Sequence, residues 1–342
     1  MNHRIAVAAA ILALIAGCSS HDDGCEAFVN CVTDPGAPGA GGQAVIDRDN
    51  ALVILREAWF ATATTSTLPA FVVATGVGDT SGGVARLPGD AAKIAFRNGV
   101  YVAPFGPTTY NCPTSGTFMV SGDVTDPNTV TTGDSSTYEL FDCDSGTGFT
   151  TVGDLRSDIN SIVGDPLSGQ FAQDQLLTFT DFQATAGTET MAFSGDHSAI
   201  IDATSAAQLA VTFGGNSLLI DAQQITLSVR NFAGSSFVQA APPFNNSLFV
   251  AGTASSSIVQ GSFDFVIEET MQFPFGQEPT DGIFDVFGSG GSTARVAVVS
   301  DIAVNIQVDA NASGNFEVSF ITTWDEFLNG NLVLNWTDTG LH

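Results

Sequence analysis

The sequence has almost no positive charge. Nine lysines and arginines stand against 36 aspartates and glutamates, Lys93 is the sole lysine, and the formal net charge is −27. A polyanion of this kind is repelled by nucleic acid and by anionic lipid, which argues against both as partners. Histidine is scarce as well: His3, His21 and His342 lie near the ends, and His197 alone falls well inside the chain. With so few imidazoles and no Cys-x-x-Cys, a transition-metal site has no ligand set to draw on. No glycine-rich loop follows a strand pattern and opens a helix, so the phosphate-cradling motifs are missing. After the first residues, no apolar run is long enough to cross a bilayer as a helix.

What is present begins with a leader. Met1 to Arg4 is short and positive, and Ile5 to Ala16 is an apolar run of secretory-signal length. The run ends in Ile15-Ala16-Gly17-Cys18, which resembles the lipobox of bacterial lipoproteins. The resemblance implies cleavage before Cys18, acylation of its thiol and acylation of the new amino terminus. One acyl chain binds membrane marginally, whereas two or more hold it stably. Ser19 and Ser20 occupy the place where an aspartate retains enterobacterial lipoproteins at the inner membrane, so the resemblance implies the outer membrane. Residues 1–17 then read as a signal peptide and residues 18–44 as a tether, rich in Pro and Gly from Asp34 to Gly42. Residues 45–342 read as a single β-rich domain, with a subdivision near residue 165.

A hydrophobic content of 44% with 26 phenylalanines is ample for a packed core and excludes a disordered body. With Cys18 acylated, four cysteines remain and allow three pairings. Proximity favours Cys25 with Cys31 and Cys112 with Cys143, the latter loop contributing roughly 3–4 kcal/mol in the chain-entropy view. A helix is predicted over Asn50 to Thr62, capped by Asp47 or Asp49. It carries an apolar stripe of Leu52, Leu55 and Trp59, widened by Ala51, Ile54 and Ala58, with Arg56 and Glu57 on the outer face.

From Phe71 on the period changes to two. Gln224 to Arg230, Phe263 to Glu268, Ile302 to Val308 and Phe316 to Phe320 alternate apolar with polar residues, as half-buried strands do. Turn clusters fall at Asp123 to Asn128, Gly214-Gly215-Asn216, Gly288 to Gly291 and Ala312 to Asn315; Thr151 to Val163 reads as a short helix. About a dozen to sixteen strands joined by short turns must pair antiparallel. The fold class is therefore mainly β: a large meander curled into a barrel, half-barrel or sandwich, with the N-terminal helix packed on it and Trp324 and Trp336 sealing the core. Three features of the body carry a second resemblance: the helix at Asn50-Ala51-Leu52-Val53, the hairpin bracketed by Cys112 and Cys143, and the Asp309-Ala310-Asn311 turn leading to Thr323-Trp324. In these the body is similar to a group of uncharacterised β-rich Gram-negative envelope lipoproteins, a resemblance that implies no activity.

Several residue sets carry side chains capable of chemistry. Asp309, Asn311, Ser313 and Glu317 alternate oxygens around Gly314 as a calcium loop begins, yet the place of the bidentate glutamate is Phe320 and the flanks are strands. The alternative is a polar hairpin turn. Asp196-His197-Ser198 holds triad residue types in adjacency, which is the wrong geometry for a triad, so His197 reads as a turn or edge residue. Gly133-Asp134-Ser135 has the residues of an esterase block but lacks its context. Glu268-Glu269 with Glu278 is the kind of carboxylate grouping that an acidic chain produces by chance. No catalytic residue is assigned. The expected function is a lipid-anchored, non-catalytic structural or interaction module of the envelope with a protein partner; the alternative is a carrier holding an apolar ligand in the curled sheet.

Overall fold

The computed structural model describes residues 42–74, 105–112, 114–125, 131–144, 150–165, 170–187, 189–205, 208–222, 225–239, 245–274 and 278–329. Among these residues fourteen strands form one antiparallel meander, with sheet order identical to chain order. The mainly β, antiparallel expectation holds, and the sheet is not closed, so the barrel form of it does not. Two compact units divide the chain: a middle unit of Thr67–Gln224 with Phe237–Ala241, and a C-terminal unit of Ile225–Ser236 and Pro242 onward, joined by residues up to Ser66. Among the described residues no helix is long and apolar enough to cross a membrane.

The middle unit holds β1 (Phe105–Asn111), β2 (Ser115–Asp123), β3 (Ser135–Asp144), β4 (Thr150–Asp165), β5 (Gln170–Ala186), β6 (Glu189–Asp202) and β7 (Gln208–Ala222). Two expectations are corrected here. Thr151 to Val163 is a strand, because Leu155, Ser157 and Ile159 alternate onto the buried face, Leu155 and Ser157 pairing with both neighbours and Ile159 with Gln175 of β5. Arg156 and Asp158, on the wet face, make a 2.7 Å ion pair that residues two apart on a helix would not face each other to form. Gly214-Gly215-Asn216 lies inside β7, since Gly214 pairs with Ser198 and the strand continues.

Strands this long meet a problem of phase. In β5, Phe171, Gln173, Gln175, Leu177 and Phe179 share the buried face, and then Phe182 and Ala184 do, so parity changes once along the strand. A β-bulge between Phe179 and Phe182 makes the change, with Asp181 in the left-handed region at φ 49°. The same device recurs in β3, where Asp142 has φ 50° and Leu140 and Cys143 are both buried. Asp tolerates this conformation better than most residues because its short side chain bonds locally. The strand alongside gives way too: Gly153 in β4 lies against the Asp181 carbonyl, and Gly116 in β2 against that of Asp142. The disulfide Cys112–Cys143 ties the β1–β2 turn to the end of β3, with Cα atoms 5.5 Å apart, as proximity favoured.

The C-terminal unit contains β8 (Ile225–Gln239), of which the unit takes Ile225–Ser236, β9 (Asn245–Ser256), β10 (Ser262–Pro274), β11 (Asp281–Phe287), β12 (Thr293–Ser300), β13 (Ala303–Asp309) and β14 (Val318–Thr323). A third left-handed residue, Asn231 at φ 48°, precedes buried Phe232 in β8. Cross-strand register builds two apolar rows, Ile267–Phe284–Val296–Ile306–Phe320 and Phe265–Val286–Ala294–Val308–Val318. All but Phe320 are buried, and such directly opposed pairs are the unit of sheet stabilisation.

Helix α1 (Ala51–Ala74) covers this face through its residues up to Ser66, with Trp59 meeting Phe284 edge-on at 5.7 Å and Trp324 at 5.4 Å. Trp324 opens a short helix, α2 (Trp324–Asn329), and is buried as expected; Trp336 lies outside the described residues. At the start of α1, the Asp47 carboxylate accepts the N–H groups of Asp49 and Asn50, and the Asn50 side chain accepts that of Asp47. The helix runs past its expected end at Thr62 and contains Phe71, where period two was expected to begin. Within its Thr/Ser stretch, Thr65 donates to the Ala61 carbonyl and Ser66 to that of Ala63. Residues 42–46 already belong to the folded body: Ala44 N–H donates to Ser262, and Ile46 N–H to the Ser292 hydroxyl. The tether therefore ends earlier than residue 44.

A Cβ at Gly153 would approach the Asp181 carbonyl oxygen to 2.2 Å at a backbone φ of +97°, so Gly153→Ala is expected to lower unfolding free energy by about 2–4 kcal/mol in chemical denaturation. Cys143→Ser should lower it by about 2–4 kcal/mol under oxidising conditions and by nothing once the parent protein is reduced.

Candidate functional site

The residues singled out by sequence scatter. Cys18, Cys25 and Cys31 lie outside the described residues. Asp309, Asn311, Ser313 and Glu317 do come together in the turn between β13 and β14, where their oxygens are occupied by main-chain donors. Asp309 accepts from Ser313 and Gly314 N–H, Asn311 from Ser313, and Glu317 from Ala310 and Asn311. Ala312 and Gly314, at φ 58° and 79°, make the turn's left-handed steps. Asp134 of the Gly133-Asp134-Ser135 stretch organises a turn, accepting from the N–H groups of Thr125 and Thr131 and from the Thr131 hydroxyl. Among the described residues no three His, Cys, Asp or Glu side chains converge as metal ligands would.

Three arrangements were not anticipated. The first is Glu57. Expected on the outer face of α1, it is 5% exposed, because the helix is enclosed on almost every side. Burial pushes its carboxyl from 4.5 up to about 7, against a smaller downward pull from a hydrogen bond with Ser256. Its Oε2 has no hydrogen-bond partner. The neighbouring Arg56 does not neutralise it, since that guanidinium donates to the main-chain carbonyls of Glu326 and Phe327. The sequence signal was there: Arg56 and Glu57 are the only charged residues between Asn50 and Ala74, too few for a helix with a solvent face.

The second lies on the other side of the same sheet. Asp285 and Arg295 are cross-strand partners in β11 and β12, and the guanidinium meets the carboxylate with two parallel 2.6 Å bonds. Asp285 is buried, and Arg295 also sits 5.1 Å over the Phe316 ring. The hydrogen bonds that Arg295 donates to Asp285, with the nearby charges of Asp285, Glu268 and Glu269, push the Arg295 pKa up against a smaller lowering by burial. Glu268 and Glu269 thus act on a cation, and Glu278 is raised by partial burial.

The third is in the middle unit. The cross-strand row Ser136–Ser157–Leu177–His197 runs beside Ile159–Gln175–Ala199–Phe213, and all eight residues are buried. His197 is therefore neither a turn nor an edge residue. It is fully buried within β6 and stacks on Phe213 at 5.9 Å. Gln173 donates to the Gln175 side chain at 2.8 Å, while the amide nitrogen of Gln175 and the hydroxyl of Ser157 find no partner among the described residues. Polar side chains at buried strand positions were legible only as breaks in the apolar alternation, Gln173 and Gln175 among them.

No family model, curated protein or solved structure matches the chain.

Glu57 holds its proton in the folded state up to about pH 7 and in the unfolded state only to about 4.5. Folding is favoured most below the lower value, and the contribution is lost as pH rises through the upper one. The loss amounts to roughly 3 kcal/mol. Glu57→Gln should flatten the fall in stability between about pH 4.5 and 7 relative to the parent in denaturant titrations.

Proposed function

We propose that the chain is an exported lipoprotein, held at the bacterial outer membrane through acylated Cys18, whose β body serves as a non-catalytic structural or interaction module. The observation that carries the non-catalytic module is the filling of the C-terminal unit's apolar face. Phe263, Phe265, Phe284, Val286, Val296 and Ile306 are at most 1% exposed, and α1 supplies the cover from the same chain. A carrier needs apolar space that its own side chains leave unfilled. The anchor rests on the lipobox resemblance at Cys18 alone.

One observation favours the carrier as a second reading. Gln175 and Ser157 leave buried polar atoms unbonded on the middle unit's apolar face, and a ligand with an apolar body and a polar head would satisfy such atoms.

Native mass spectrometry of the full chain carrying Cys18→Ser separates the two. A clean apo mass is expected; an apolar adduct lost on Gln175→Leu would establish the carrier. For the anchor, Cys18→Ser is expected to move the protein from the membrane to the soluble fraction, and unchanged fractionation would refute acylation.

A further inference from the structure

We propose that α1 is a pH-sensitive cover: as Glu57 gives up its proton, the part of α1 up to Ser66 loosens from the C-terminal unit and uncovers the apolar face around Phe284 and Trp324, while the strands stay paired. Glu57 is 5% exposed, Ser256 at the end of β9 is its hydrogen-bond partner, and its Oε2 has none. The docked position therefore suits the neutral carboxyl. A carboxylate there would be buried without a counter-charge, and loosening of the helix takes it to water.

Nothing charged compensates Glu57 among the described residues. On α1 itself, Arg56 reaches away to the Glu326 and Phe327 carbonyls. Asp47, Arg48 and Asp49 stand at the start of the helix, about 12 Å or more along its axis. From β8 to β13 the buried face carries Leu227, Phe265, Phe284, Val296 and Ile306, with uncharged Ser255 and Ser256 on β9. Arg230, Asp264, Glu268, Asp285 and Arg295 alternate to the opposite face, where Glu269 also acts on Arg295. Asp309 and Glu317 accept the N–H groups of their own turn, and Glu326 the Thr322 hydroxyl and Thr323 N–H. Asp281, Asp301 and Asp325 are exposed. Burial, and against it the Ser256 hydrogen bond, are what act on the Glu57 carboxyl.

The cover is attached in a way that lets it move before the sheet does. The ladders β10–β11, β11–β12 and β12–β13 consist of strand-to-strand pairs and contain no residue of α1. Packing holds α1 to them, Trp59 against Phe284 and Trp324, with the Arg56 bonds to α2 beside it. The Trp59 indole N–H and the Thr62 hydroxyl find no partner among the described residues, so polar ties are few. Once undocked, the helix does not keep its turns. Isolated helices are marginal in water, and Thr62, Thr64 and Thr65 are weak helix formers. Loosening therefore exposes the amides of α1 as well as the face beneath it.

The neutral carboxyl holds the helix down, so its contribution is complete below about 4.5 and is lost as pH rises through about 7. The test is amide hydrogen exchange of the full chain carrying Cys18→Ser at about pH 5.5 and about pH 8.5, with rates divided by their intrinsic values. Amides from Ile54 to Ala61 are expected to open about thirtyfold more often at the higher pH, and there to open more often than those of β12 and β13. In Glu57→Gln the rise should vanish. Glu57→Leu, which also cannot ionise, should do the same and serves if the first variant does not fold. Equal opening of α1 at both pH values overturns the proposal. So does one opening constant shared by α1, β12 and β13, which would make the event global unfolding. A rise that persists in both variants overturns it too, by placing the titration on another group.

Discussion

A strand turns its side chains to alternate faces, and this one geometric fact constrains everything else in the molecule. A strand of 17 residues such as β5 keeps one face apolar only if pattern and geometry stay in step over its whole length. Here they are kept in step by bulges, which let the buried set pass from odd to even positions without turning polar residues inward. Asp142, Asp181 and Asn231 hold the left-handed step in three different strands, each within a short run in which a buried residue, two others and a second buried residue follow in order. The runs are Leu140-Phe141-Asp142-Cys143, Phe179-Thr180-Asp181-Phe182 and Val229-Arg230-Asn231-Phe232. The cost of the step is reduced by choosing Asx, and the space for it comes from a glycine on the neighbouring strand at two of the three sites.

In a chain so acidic, the buried carboxyl groups require separate solutions. Asp285 is paired with Arg295, one of very few cations, which is placed opposite it with bidentate geometry. Glu57 has no such partner and holds its proton instead, which is how a carboxyl avoids the cost of an isolated charge in an apolar setting. Asp309 and Glu317 take a third course and accept main-chain donors in a turn.

Much of the fold was legible because period two is a local property. The strands around Leu227, Phe265, Ile306 and Phe320, and the turns at Gly288–Gly291 and Ala312–Asn315, follow from the order of residues alone. Thr151 to Val163 was misread because its apolar residues sit at spacings that a helix and a bulged strand share. Gly214-Gly215-Asn216 was misread because glycine signals a turn by itself, whereas here strand pairing holds it extended. None of the three arrangements that stand out chemically was read from the sequence as a unit. Glu57 with Ser256, Asp285 with Arg295, and the Ser157–Gln175–His197 surface all join residues from different elements.

The sequence by itself determined the charge, the apolar alternation and the antiparallel class, since each is written in composition or in residues close along the chain. Only the tertiary structure decided which carboxyl is buried, which histidine is enclosed and where bulges reset the faces. Burial and pairing are sums over neighbours brought from far along the chain, and a residue's own identity does not specify those neighbours.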